Sequence, residues 1–153
     1  MAEDFWPSIR TPKLRMPVGI LRQQASVLGR KTKNVVTARV VSDQEGKNFV
    51  HALELVAPAL GNYTYVVLTV QHSVSVYPMR VLDHLRDDQV RDAHSEEEFE
   101  GILRDILSSA EMKRILEVLL AQSESVKPKG VPIELRSSFS PLSPLPPSLP
   151  PRR

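Results

Sequence analysis

Three segments between residues 34 and 70 are rich in β-branched and aromatic residues, and short polar or glycine-containing links separate them. These segments are 35–41, 49–56 and 63–70. Runs of this kind at this spacing favour β-strands joined as an antiparallel meander. A fourth short strand is predicted within 73–81, where Pro78 confines the strand to an edge or ends it. We therefore predict a sheet of three to four strands.

Neither face of this predicted sheet is strongly polar. In the second strand, Leu53 and Leu55 share one face while Val50 and Val56 share the other. A sheet with two semi-apolar faces is covered on both sides, or it leaves one face exposed to bind something. The sequence leaves both alternatives open.

Apolar residues at helical spacing predict a helix before the sheet. Pro17 suits the first helical turn, and apolar positions recur every three or four residues as far as Leu28. Gly29 is a natural C-terminal stop, so we predict that this helix spans 17–28. The segment 81–93 is rich in Asp and Arg, and we predict a short helix or turn there.

Two amphipathic helices are predicted after the sheet. Ser95 and Glu98 have the spacing of a capping box, and the same spacing recurs at Ser108 and Glu111. Each cap precedes an apolar stripe. The two stripes consist of Phe99, Ile102, Leu103, Ile106 and Leu107, and of Met112, Ile115, Leu116, Leu119 and Leu120. We expect a bend at 108–109 and a combined apolar surface that covers one sheet face.

These elements together predict an α+β fold. It consists of an N-terminal helix, a three- to four-stranded antiparallel meander and two C-terminal amphipathic helices packed on the sheet. We predict an N-terminal arm over 1–15, a single α+β domain over 16–124 and a disordered Pro-rich tail over 125–153. The tail holds eight of the 13 Pro residues, a composition that opposes a packed core.

Composition narrows the class of protein. The chain of 153 residues has 41% hydrophobic and 25% charged residues, as is ordinary for a globular protein. It contains no Cys, which excludes a disulfide framework, a thiolate metal site and a Cys nucleophile. The N-terminus has no signal-peptide pattern, and no apolar run approaches the roughly 20 residues that span a bilayer. We therefore predict a cytoplasmic protein without a membrane segment.

Motifs that carry chemistry are missing from the sequence. It has no G-x-S-x-G elbow, no phosphate-binding glycine loop and no His or Asp spacing typical of a metal site. We therefore predict no enzymatic activity, no cofactor and no bound metal. One enzymatic alternative remains, a site assembled from His51, His72 and Glu54, since the two His could face each other across a β-ladder. Glu54 is also expected to pair with Arg39 on the neighbouring strand.

Charge is distributed unevenly. Residues 10–33 contain seven basic residues and no acid, whereas 83–105 contains nine acids against three Arg. Mutual attraction between the two segments is the simpler explanation. The alternative is nucleic-acid binding, in which the basic segment contacts phosphates while Tyr63 and Tyr65 stack on bases. The candidate phosphate contacts are Arg22, Arg30, Lys31 and Lys33.

The leading hypothesis is a non-enzymatic protein-interaction domain of regulatory, adaptor or inhibitor type. Its partner would be another protein or a second copy of itself, because open edges and apolar stripes are satisfied by pairing. Trp6 either packs on the domain surface or anchors a partner. The tail segment 147–152 fits the P-x-x-P-x-R pattern of polyproline ligands. The candidate partner-binding residues are Trp6, Tyr63, Tyr65, Pro147, Pro150 and Arg152.

Overall fold

A computed structural model describes residues 3–126, so the predicted tail from residue 127 onward lies outside the described residues. The chain forms one helix, five strands and two further helices, in that order. The helices are α1 (Pro17–Lys31), α2 (Glu96–Leu107) and α3 (Ala110–Ser125). The strands are β1 (Thr37–Glu45), β2 (Asn48–Ala57), β3 (Tyr63–His72), β4 (Met79–Asp83) and β5 (Gln89–Ala93). This architecture confirms the predicted α+β fold, except in the number of strands.

The sheet has five strands in the order β1-β2-β3-β4-β5, and all neighbours are antiparallel. The prediction of three to four strands was therefore wrong. The additional strand, β5, lies within 81–93, where the sequence indicated a short helix or turn. Asp87 and Asp88 adopt left-handed backbone conformations and reverse the chain between β4 and β5. A strand of five residues with one exposed Val has too little apolar pattern to be seen in the sequence, and its ladder with β4 holds it in place.

All three helices pack against one face of the sheet. The core between them includes the fully buried Leu21 of α1, Phe99 of α2 and Leu68 of β3. On the opposite face, Val41 and Val66 are 44% and 37% exposed, and no described segment covers them. Of the two alternatives for the sheet, residues 3–126 therefore show the one with an open face.

The helix boundaries refine the sequence prediction. Gly29 does not end α1, which continues to Lys31. A side chain at Gly29 would meet the Asn34 side-chain oxygen at 3.0 Å, so glycine permits the close return of the chain toward β1. The second helix cap is Ser109 rather than Ser108, and its hydroxyl accepts the Met112 N–H at 3.1 Å. None of the helices within residues 3–126 has the length and apolar character that crossing a membrane requires.

The fully buried Phe99 provides a test of this arrangement. We expect Phe99→Ala to lower the free energy of unfolding by about 3–5 kcal/mol, because the substitution leaves a cavity where the helices meet the sheet. Urea denaturation measures this loss. The matched control is Val90→Ala on β5, which is 50% exposed and should cost about 1 kcal/mol or less. Similar losses for both variants would contradict the position of Phe99 in the core.

Candidate functional site

The N-terminal half of β3 has a free edge. Strand β2 pairs with β3 along its length, but β4 pairs with β3 only from Leu68 to Gln71. Among the described residues, no strand lies beside Tyr63–Val67 on the β4 side. Backbone N–H and C=O groups on that side have no strand partner from Tyr63 to Val66, whereas Val67 is fully buried and the 84–86 turn contacts β3 nearby.

Helix α3 lies beside this free edge, and together they form a groove of about 620 Å³, which we call the strand–helix groove. Its walls are mainly apolar and aromatic, with two polar side chains from α3. The lining residues are Leu60, Tyr63, Tyr65, Arg114, Ile115, Val118, Leu119 and Gln122. Tyr63 and Val118 are 50% and 43% exposed, so the groove is open to a ligand.

The groove is lined by residues at two-residue spacing on β3 and at helical spacing on α3. Tyr63 and Tyr65 alternate along β3 and share the helix-covered face, because they lie opposite Ala57 and Leu55 of β2. On α3, the lining residues recur every three or four positions from Arg114 to Gln122. Gly61 adopts a left-handed conformation at φ 68° and turns the chain into β3, which sets the tyrosines beside the helix.

The groove suits recognition of an extended peptide. A strand added to the free edge of β3 would satisfy the open backbone groups, and its alternate side chains would face α3. Ile115, Val118 and Leu119 offer apolar contacts, whereas Arg114 offers a positive charge for a carboxylate. None of the lining residues is a His, Asp or Glu. The groove therefore lacks the side chains that most often act as general acids or bases.

The structure brings together two of the predicted partner-binding residues, Tyr63 and Tyr65. Trp6 is not among the residues that line the groove. It lies in the N-terminal arm, where it is 79% exposed and its backbone N–H donates to the Asp4 carboxylate at 3.0 Å. The alternative in which Trp6 packs on the domain surface is therefore wrong. Pro147, Pro150 and Arg152 lie outside the described residues.

Three of the four candidate phosphate contacts line one groove between α1 and β1. This basic groove of about 490 Å³ includes Arg22, Arg30 and Lys33. Lys31 instead lines an apolar groove with Leu53 and Met112. The basic groove also includes Arg39, whose side chain bonds to Glu54 across the ladder at 2.9 Å, as the sequence predicted. Sequence analysis did not include Arg39 among the candidate phosphate contacts. It could have done so, because the turn after α1 returns the chain along the helix and brings β1 beside the basic residues of α1.

Attraction between the basic and acidic segments is confirmed at one residue. Arg15 lies 2.5 Å from Glu100 and 3.5 Å from Glu96, so it holds the start of α1 against α2. Arg22, Arg30, Lys31 and Lys33 form no ion pair within residues 3–126. Their positive charge therefore remains available on the surface.

A pair of histidines lies on the helix-covered face of the sheet. His51 and His72 are 8% and 7% exposed, and their Nε2 atoms are 3.3 Å apart, so they do face each other across the ladder. The carbonyl of Ser73 accepts from Nδ1 of His72, which leaves the His72 Nε2 as an acceptor when the ring is neutral. His51 then donates through Nε2 and accepts from the Ser42 hydroxyl at 2.8 Å.

Glu54 does not join this pair. It lies on the open sheet face with Arg39, whereas His51 lies on the covered face. The alternative site of His51, His72 and Glu54 is therefore not assembled. Residues 3–126 also contain no group of three or more His, Asp or Glu that could hold a metal ion.

A hydroxyl, an imidazole and a carboxylate lie in series near the end of β4, an arrangement that sequence analysis missed. The Thr69 hydroxyl is 2.8 Å from Nε2 of His84, and the Nδ1 of His84 contacts the Asp88 carboxylate. This order resembles a nucleophile, a base and an orienting acid. Thr69 and His84 line none of the grooves described above. The contacts tie the 84–86 turn to β3, and the sequence offered no signal for them because they depend on the β3–β4 register.

Comparison with known proteins supplies no family for this chain. No protein-family model, curated protein or solved structure gave a significant match. The grooves and the sheet edges are therefore the features that bear on function.

The histidine pair predicts that stability falls in mild acid. Burial lowers the pKa of His51 from the usual 6.5, and the neighbouring His72 and Arg22 lower it further. Because the folded state binds its proton less readily, stability is full above pH 6.5 and is lost as pH falls through the lowered pKa. We expect the urea-unfolding free energy to decrease from pH 7.5 toward about pH 5, where carboxylates still remain ionised.

Two variants isolate the contribution of His51. His51→Gln should show a smaller decrease than the wild type, because residue 51 no longer titrates. His94→Gln should keep the wild-type decrease, since His94 is exposed on α2's N-terminal side and its ring bonds to Glu98 alone within residues 3–126. An equal decrease in His51→Gln and the wild type would show that His51 is not the source.

Proposed function

We propose that this protein is a non-enzymatic interaction domain that binds an extended segment of another protein in the strand–helix groove. The observation that carries this proposal is the free edge of β3 at Tyr63–Val66, where Tyr63 and Tyr65 line a groove with the apolar side of α3. A free edge next to a helix provides both backbone hydrogen bonds and a wall for side chains.

Backbone pairing would supply affinity, and alternate side chains would supply selectivity. Tyr63 and Tyr65 are two residues apart on one face, about 7 Å along the strand, which matches the spacing of alternate side chains in a bound peptide. Tyrosines give large contact area at low conformational-entropy cost. Tyr63 is half exposed and Tyr65 is partly buried, so both retain surface that a ligand can cover.

The lining residues define the chemistry of the ligand. Ile115, Val118 and Leu119 favour apolar side chains at alternate positions of the bound segment. Arg114 is the charged residue of the groove, so a carboxylate in the ligand finds its counter-ion there. We therefore propose an extended, mainly apolar segment that carries an acidic residue.

A defined peptide library tests this proposal with the full chain. Peptides selected by display should alternate apolar residues and carry an acid. Val118→Asp should weaken their binding by about tenfold or more, because it places a charge in the apolar wall. Val90→Asp is the matched control on β5 and should bind as the wild type does. Fluorescence polarisation with the selected peptides measures both.

Reversal of the groove's charge gives a second readout. Arg114→Glu should shift the selected sequences from acidic to basic residues. Peptides that bind Val118→Asp and Arg114→Glu as tightly as the wild type would show that the groove is not the binding site.

Nucleic-acid binding is the second candidate function, and the basic groove is the observation that favours it. Arg22, Arg30 and Lys33 converge there without ion pairs in the described residues, and Arg39 lies with them. Tyr63 and Tyr65 line the strand–helix groove instead, so base stacking by these tyrosines is not part of this site. The basic groove therefore offers phosphate contacts without an aromatic platform, which makes it the weaker candidate.

The salt dependence of binding tests this second function. If RNA binds the basic groove, the double variant Arg30→Glu with Lys33→Glu should weaken retention and reduce the slope of affinity against salt by about two. The double variant Arg104→Glu with Lys113→Glu changes the charge equally on α2 and α3 and should retain binding. If the full chain does not retard single-stranded RNA in an electrophoretic binding assay at about 50 mM salt, nucleic-acid binding is excluded as its function.

A further inference from the structure

Strand β1 forms a long edge of the sheet. It has nine residues, and β2 pairs with it from Thr37 to Glu45. No described segment of the chain pairs with its other side. A free edge of this length is a template for another strand unless it is covered or blunted.

The side chains of β1 on the open sheet face change charge along the strand. A basic residue lies in the first half, a valine lies at the centre and two acids lie in the second half. In order, these residues are Thr37, Arg39, Val41, Asp43 and Glu45. Because antiparallel pairing reverses one strand, such an edge is complementary to itself.

We propose that two copies of this chain pair through β1 in antiparallel orientation, with Val41 on the two-fold axis. This register places Arg39 of each copy opposite Asp43 of the second copy, on the same face. Thr37 then lies opposite Glu45. Val41 is 44% exposed and would contact its own equivalent. The two five-stranded sheets become one continuous sheet.

Neighbouring registers fit less well. A two-fold axis at Val40 places Arg39 opposite Val41 and separates it from both acids. An axis at Ser42 places Val41 opposite Asp43, which sets an apolar side chain against a carboxylate. Only the register centred on Val41 pairs the charge and also matches the valines.

The basic groove supports the same orientation. It flanks β1 between Thr37 and Val40 and contributes the cations of Arg22, Arg30 and Lys33. In the proposed register, the acidic half of the second copy's β1 lies along this part of the strand. Positive potential from α1 therefore meets negative charge from the second copy. The strand–helix groove on β3 and α3 remains open in the dimer.

In the proposed dimer, residue 41 on the two-fold axis contacts residue 41 of the second copy, and this symmetry gives a specific test. Sedimentation equilibrium of the full chain should show a concentration-dependent dimer. Val41→Lys and Val41→Glu should each raise the dissociation constant by about tenfold or more, because like charges face each other across the axis. A one-to-one mixture of the two variants should recover a dimer, since Lys then faces Glu. A misfolded variant would not show this recovery.

The control is Val90→Lys on β5, the opposite edge of the sheet, where Val90 is 50% exposed. It should dimerise as the wild type does. The proposal is overturned by a wild-type monomer at about 0.5 mM, a concentration at which even weak specific interfaces associate. It is also overturned if Val41→Lys dimerises normally, or if the mixed variants stay monomeric. Peptide binding by Val41→Lys should be unchanged, so failure here is distinct from failure of the proposed groove.

Discussion

The burial of one sheet face beneath three helices is the interaction on which the rest of the structure depends. Leu21, Phe99 and Leu68 lose all solvent contact where α1, α2 and the sheet meet. The hydrophobic effect scales with the apolar area removed from water, and the three helices bury their apolar stripes on one face while residues 3–126 leave the other face without cover. The edges and grooves that remain around this core are the surfaces available for recognition.

The unequal lengths of the strands then decide where backbone groups have no strand partner. Strands β4 and β5 have five residues each, whereas β2 and β3 have ten. Helix α3 therefore passes a part of β3 that, among the described residues, has a strand partner on the β2 side and none on the β4 side. At the opposite edge of the sheet, β1 pairs with β2 on one side, and no described strand pairs with its other side. The proposed peptide site on β3 and the proposed symmetric interface on β1 would both use unpaired backbone groups, at two separate edges.

Buried polar groups lie at the borders of the core and connect its elements. Asp83 is 1% exposed, its carboxylate lies 3.7 Å from both Arg86 and Arg91, and it accepts the Leu85 N–H at 3.0 Å. Asp105 of α2 bonds to Arg91 at 2.9 Å and thereby links the helix to β5. Asp83 is the buried charge of this group, and the cost of desolvating it offsets much of what its ion pairs contribute to net stability, whereas Asp105 is 54% exposed. The histidine pair of β2 and β3 has a similar position at the opposite end of β4.

Local patterns in the sequence determined the helix before the sheet, the first strands and the break between α2 and α3, because each depends on residues close in the chain. They also determined the Arg39–Glu54 pair, which depends on the register of one hairpin. The period-two and helical spacings also placed Tyr63 and Tyr65 on one face and the α3 stripe on another. Only the tertiary structure decided that these two surfaces form a groove, that β5 exists and which face of the sheet the helices cover. These features depend on strand length, ladder register and the path of α3 across the sheet, which arise from packing between distant segments rather than from local preference.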